Sequence, residues 1–124
     1  MSYYLIRVGE GSKYAQEALQ DGFIAIGWND LPDLTQLRSI EEIKKKLLEH
    51  HDYSPSQLGQ SAGMIDRFIK MKSGDTVLMP KGDGSLAVGT IGDYFRIKEA
   101  TGNCHFLHRR KVQWSNKVIH RTDM

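Results

Sequence analysis

A single cysteine, Cys104, is all that this chain of 124 residues contains, which excludes an internal disulfide and leaves no CxxC spacing for a zinc site. It reads as a small strand residue. Long apolar runs are missing too: none approaches the roughly 18 to 20 residues that span a bilayer. The opening stretch MSYYLIRVGE has no basic segment followed by a long apolar one, so no targeting peptide is read there. A cytoplasmic protein without a membrane partner is expected. No linker, internal repeat or low-complexity stretch interrupts residues 1–124, so they read as one domain, long enough for a single core.

A catalytic constellation is also lacking. No serine or cysteine stands in a nucleophile-elbow pattern. His105 and His108 share an extended segment, where their odd spacing points them to opposite faces. His50 and His51, beside Asp52, stand at an expected helix end, where solvated imidazoles favour the dipole. Glu41, Glu42, Lys44, Lys45 and Lys46 fall on a helix rather than on the paired strands that nuclease carboxylates and lysine need. Gly82-Asp83-Gly84 lacks the Lys-Ser/Thr of a phosphate loop and reads as a hairpin. No enzymatic activity, metal or cofactor is expected of this chain.

What is present is an ordinary globular composition, 40% apolar and 26% charged, with an uneven charge distribution. Residues 1–60 hold 6 Lys/Arg against 9 Asp/Glu, and residues 61–124 hold 11 against 6. The basic half places Lys81, Arg96, Lys98, Arg109, Arg110 and Lys111 near expected strand ends, a patch suited to phosphates.

Residues 3–8 form the first expected strand, bounded by glycines. Ser12 reads as the N-cap of a helix over 13–20, stopped by Gly22. A continuously apolar strand, GFIAIGW over 22–28, follows, and its lack of alternation predicts burial on both faces at the centre of a sheet or barrel. Ser39 and Glu42 have capping-box spacing for a helix to about His50, with Ile40, Ile43, Leu47 and Leu48 facing the core. Ser54, Pro55 and Gln57 start a third helix towards Lys72, with a break expected near 61–63, where Gly59 and Gly63 weaken it. Strands are then expected over 76–79, 86–97 and 103–114, and a short one over 118–120, with Gly89 and Gly92 marking bulges or close backbone approach. Gly74 and Asp75 read as a turn, and Trp114 as a core residue. The order is α+β. A curved sheet of five or six strands, closed into a small barrel with about three peripheral helices, is its simplest closure.

Trp28 is the most informative single residue. It ends an apolar strand at the mouth of a polar turn containing Asn29, Asp30, Pro32 and Asp33. A flat stacking face with one N–H donor suits a planar ligand such as a nucleobase there. The residue type equally suits a cap on the core.

Four segments in order, GFIAIGW, then Phe68 to Val77 (F-I-x-M-x-x-G-D-x-V), AVGTIGDY (87–94) and HRRKVQW (108–114), resemble a PUA-like barrel domain. The similarity runs from Tyr4 to Trp114. It is to the N-terminal module of McrB- and Mrr-type restriction proteins, related to the EVE and YTH domains.

The resemblance implies a DNA-binding module that flips a methylated or hydroxymethylated base into an aromatic pocket. Flipping costs a few kcal/mol and lets a closed pocket test the shape of a base. Carried over by position, Trp28 is a pocket wall, Tyr94 and Tyr53 or Phe95 are further aromatic candidates, and Asp30, Asp33 and Ser61 are hydrogen-bonding candidates. Lys81, Arg96, Arg109, Arg110 and Lys111 would hold phosphates. The implied partners are DNA carrying a modified base and an endonuclease or NTPase domain or subunit, which would supply any cutting. With no motor or nuclease motif and an end soon after the last expected strand, the chain reads as the N-terminal specificity module of a larger protein. An RNA reader of the YTH type and a protein-interaction module are the other two readings.

Overall fold

The computed structural model describes residues 3–100 and 102–120. In chain order the elements are β1 (Tyr3–Leu5), α1 (Ala15–Asp21), β2 (Phe23–Ile26), α2 (Ile40–His50), α3 (Pro55–Lys70), β3 (Thr76–Pro80), β4 (Ser85–Arg96) and β5 (His108–His120). Short 3-10 turns occupy Glu10–Ser12 and Leu34–Gln36. The protein is α+β, with three α-helices and one five-stranded mixed sheet. Contacts group the chain into two compact units: Met1–Gly27 with Lys72–Met124, which carries the whole sheet, and Trp28–Met71, which carries α2 and α3.

The strands of the sheet unit run in the order β1-β3-β4-β5-β2. β1 lies parallel to β3, and every other pairing is antiparallel. The expected barrel is corrected here: among the described residues no ladder joins the outer strands β1 and β2, so the sheet is open. β1 is only three residues long rather than six, and the chain turns at Gly9 (φ 85) into the 3-10 turn. β2 is buried along its whole length, as its apolar run requires, but it stands at the end of the sheet rather than its centre.

Curvature comes from two register shifts between β4 and β5, one between Ala87 and Gly89 and one between Ile91 and Tyr94. Extra residues in a ladder bend and twist the strands around them. Gly89 is required by packing: a Cβ there would lie 2.4 Å from Val112 Cγ1 and 2.7 Å from Trp114 Cε3. The Trp114 indole N–H donates to the Ala18 carbonyl at 2.9 Å, so that half-buried side chain links β5 to α1.

β5 begins at His108, not at 103, and continues to His120, absorbing the short strand expected over 118–120. The reason lies on α1: the Glu17 carboxylate accepts the N–H groups of Asn103 (2.8 Å) and Cys104 (3.0 Å), holding that segment as a loop. Cys104 is therefore buried in a loop rather than in a strand. Ser12 does not cap α1; it closes the 3-10 turn at φ 62, and Tyr14 takes the cap position. Gly22 ends α1 in the left-handed region at φ 74, as a C-terminal glycine does. The hairpin between β3 and β4 has Gly82 and Gly84 at positive φ.

In the helical unit, the Ser39 hydroxyl accepts the Glu42 N–H, while the Glu42 carboxylate accepts the Arg38 N–H, one residue before the reciprocal partner of a capping box. Ile43 and Leu47 form the buried stripe of α2. Leu48, expected on that face, is 54% exposed, one residue round the helix from the stripe. α3 has the complete capping box, Ser54 with Gln57, and Pro55 in its first turn. It runs without the expected break. The glycine penalty, about 1 kcal/mol each, is outweighed by that cap and by the burial of Ala62, Ile65 and Phe68. Among the described residues no helix is long and apolar enough to cross a membrane.

Candidate functional site

Leaving β2, the chain passes through Gly27 and places Trp28 at φ 61, a left-handed conformation that bulky residues rarely adopt. Such strain costs on the order of 1–3 kcal/mol and persists only where surrounding bonds hold it. Two bonds do so. The Trp28 carbonyl accepts the Leu31 N–H at 3.0 Å, closing a turn over Asn29 and Asp30. The indole Nε1–H donates to the Tyr53 hydroxyl at 3.1 Å.

Tyr53 is placed by the joint between the two helices. α2 stops where His51 becomes extended (φ −134), and Ser54, the residue before Pro55, is extended as well, so residues 51–54 form a non-helical joint. Side chains two apart in extended backbone share a side. His51 and Tyr53 accordingly stack, with ring centroids 4.8 Å apart and planes 5° from parallel. His51 Nε2 lies 2.8 Å from Asp30 Oδ2 without an aligned hydrogen bond, so the contact is an ion pair when the imidazole carries its second proton. Trp28, Tyr53, His51 and Asp30 thus form one continuous cluster in which every ring is only partly buried.

The structure joins three of the sequence-derived pocket residues, Trp28, Asp30 and Tyr53, and adds His51. As a residue type at a helix end, His51 suggests only a solvated imidazole; the signal that singles it out is its two-residue spacing from Tyr53. Asp33 is committed elsewhere, its Oδ1 accepting the N–H and hydroxyl of Thr35 at the start of the second 3-10 turn. Ser61 lies half-buried in the middle of α3, apart from that cluster's bonds and ring contacts.

Tyr94 and Phe95 belong to β4, in the other unit. The Tyr94 hydroxyl lies 2.8 Å from Nδ1 of the fully buried His108, and the two rings stack. Phe95 is half-buried beside the Gly92 bulge, where an open groove of about 480 Å³ also meets Gly22, Lys111 and Gln113.

The basic patch divides. Lys111 is exposed, and Lys81 and Arg96 are half-buried. Arg109 and Arg110, expected at the surface, are only 8% and 4% exposed. Arg109 donates from Nε to the Phe106 carbonyl (3.0 Å) and from Nη2 to that of Cys104 (3.1 Å), with its guanidinium carbon 4.1 Å from the Phe23 ring centre. Arg110 donates from Nε and Nη2 to the Gly92 carbonyl, at 3.1 and 2.8 Å. Burial lowers the Arg110 pKa, while the nearby Asp93 and Asp75 charges raise it. These two arginines hold the loop and the bulge in shape rather than presenting charge to solvent. Burial likewise pushes the Cys104 thiol up, away from the reactive thiolate.

By fold and site, then, this is an α+β protein with an open mixed sheet and a half-exposed aromatic cluster built on a strained tryptophan. The chain belongs to the family described as Domain of unknown function (DUF8426), whose family model matches residues 4–123. No curated protein and no solved structure matches it.

Proposed function

We propose that this protein is a PUA-like DNA-binding module that recognises a modified, methylated or hydroxymethylated, base by flipping it out of the duplex. It acts in the cytoplasm as the specificity domain of a modification-dependent restriction system. The observation that carries the reading is the held tryptophan. A strained Trp28, its N–H bonded to Tyr53 and Tyr53 stacked on His51, is a held aromatic cluster whose three aromatic residues are half-buried. Preorganised aromatic faces of this kind return roughly 1–3 kcal/mol per stacked base, which offsets the few kcal/mol of flipping. Asp30, at the end of the cluster, supplies an acceptor for an exocyclic amine. Lys81, Arg96 and Lys111 are the candidates for phosphate contacts. The chain itself performs no catalysis, and cutting belongs to an endonuclease or NTPase domain or subunit.

The test is a binding panel of DNA and RNA oligonucleotides, unmodified or carrying N6-methyladenine, 5-methylcytosine or 5-hydroxymethylcytosine, against wild type, Trp28→Ala and Tyr53→Phe. One modified DNA base should bind at least tenfold more tightly than its unmodified counterpart. Trp28→Ala should abolish that preference, and Tyr53→Phe should weaken it by removing the acceptor of the indole N–H. Equal affinity across the panel would sink the reading, and a preference confined to RNA would transfer it to the YTH type.

A further inference from the structure

We infer that the groove beside the Gly92 bulge is a second nucleotide subsite, in which an unpaired base of the bound strand lies on Phe95 with its phosphate on Lys111. The inference rests on the reading of this chain as a nucleic-acid binder, but on a different part of the molecule from Trp28.

The groove exists because two positions lack side chains. At Gly92 an added Cβ would lie 3.3 Å from Lys111 Cβ, and at Gly22, 3.1 Å from the Val112 carbonyl. The register shift between Ile91 and Tyr94 bends β4 there. Its volume, about 480 Å³, falls in the ordinary range for small-ligand sites. Ile91 and Val112 give it an apolar floor, Phe95 a half-buried aromatic ring, and Lys111 an exposed cation at the rim. Gln113 and Asp21 add groups able to hydrogen-bond a base edge.

One further feature favours an anionic, planar occupant. The Gly92 carbonyl, which would otherwise repel a phosphate, is engaged by Arg110 Nε and Nη2. The Arg110 charge itself is buried beside Asp93 and Asp75, so the cation that faces the groove is Lys111 at the rim. The groove is open rather than enclosed, as suits one residue of a polymer entering and leaving along its length. An aromatic face with one lysine is the minimal equipment of a single-strand subsite, stacking for the base and charge for the backbone.

The experiment scans an abasic position along each strand of the oligonucleotide that binds best in that panel and measures affinity for wild type, Phe95→Leu, Phe95→Trp and Lys111→Ala. For wild type, removing one particular base should cost about tenfold. That loss should vanish in Phe95→Leu and return in Phe95→Trp, while Lys111→Ala weakens every sequence alike and lowers the salt slope by about one. Thermal melts of all four proteins separate binding losses from unfolding. A preference for the modified base with no abasic position coupled to residue 95 overturns the subsite and leaves the Trp28 reading intact. Coupling to residue 95 without any preference for a modified base supports the subsite and overturns that reading. No oligonucleotide binding at all overturns both.

Discussion

Trp28 and Gly89 show how one residue can be decided by its neighbours in opposite senses. Trp28 accepts an unfavourable backbone conformation because its carbonyl and its indole N–H are both bonded. Gly89 is there because nothing larger fits against Val112 and Trp114. Gly89→Ala should therefore destabilise the fold by about 1–3 kcal/mol, the usual cost of overpacking. Chemical denaturation should show a lower midpoint with an unchanged slope. An unchanged midpoint would mean that β5 yields at Val112 without cost. Neither role was legible from residue type alone, since the aromatic suited a core cap as well as a stacking face, and the glycine marked only a bulge or a close approach.

At the scale of elements, local chemistry was readable where it acts within a few residues. The capping box of α3 and the positive-φ hairpin stand as their residue types demand. The expected break in α3 failed because propensity is a weak prior beside a buried stripe. Gly59 and Gly63 face open space, with nothing within 4 Å of an added Cβ. Alanine at each should accordingly stabilise the protein by about 1 kcal/mol, read as a rise in melting temperature. A fall would show that a glycine there serves some need other than helix geometry. The start of β5 was illegible for the opposite reason: it is set by Glu17, 86 residues away from Asn103 in sequence.

Acid sensitivity belongs to the whole molecule, because it follows the proton balance between folded and unfolded states. Asp83, at the β3–β4 hairpin, accepts the Ser85 hydroxyl and N–H, and these bonds lower its pKa below the ordinary aspartate value. A lowered folded pKa contributes stability above the unfolded value, near 3.9, and loses it as pH falls through the folded value. Wild type should be more stable than Asp83→Asn at pH 6, with the difference closing below about pH 4, followed by denaturation midpoints across that range. A constant gap would remove Asp83 from the acid response. The same scale explains the charge pattern. Sequence counted Arg109 and Arg110 as surface cations, yet tertiary folding buries both against backbone carbonyls and leaves Lys111 exposed.

The sequence by itself determined the α+β order, the caps of α2 and α3, the glycine turns and the burial of β2, because these depend on side-chain type and on neighbours a few residues away. It also marked Trp28 as unusual. Only the tertiary structure decided that the sheet stays open, that two arginines turn inward, and that Trp28, Tyr53, His51 and Asp30 link in one chain of contacts. Those outcomes depend on contacts between residues distant in sequence, where no local preference acts.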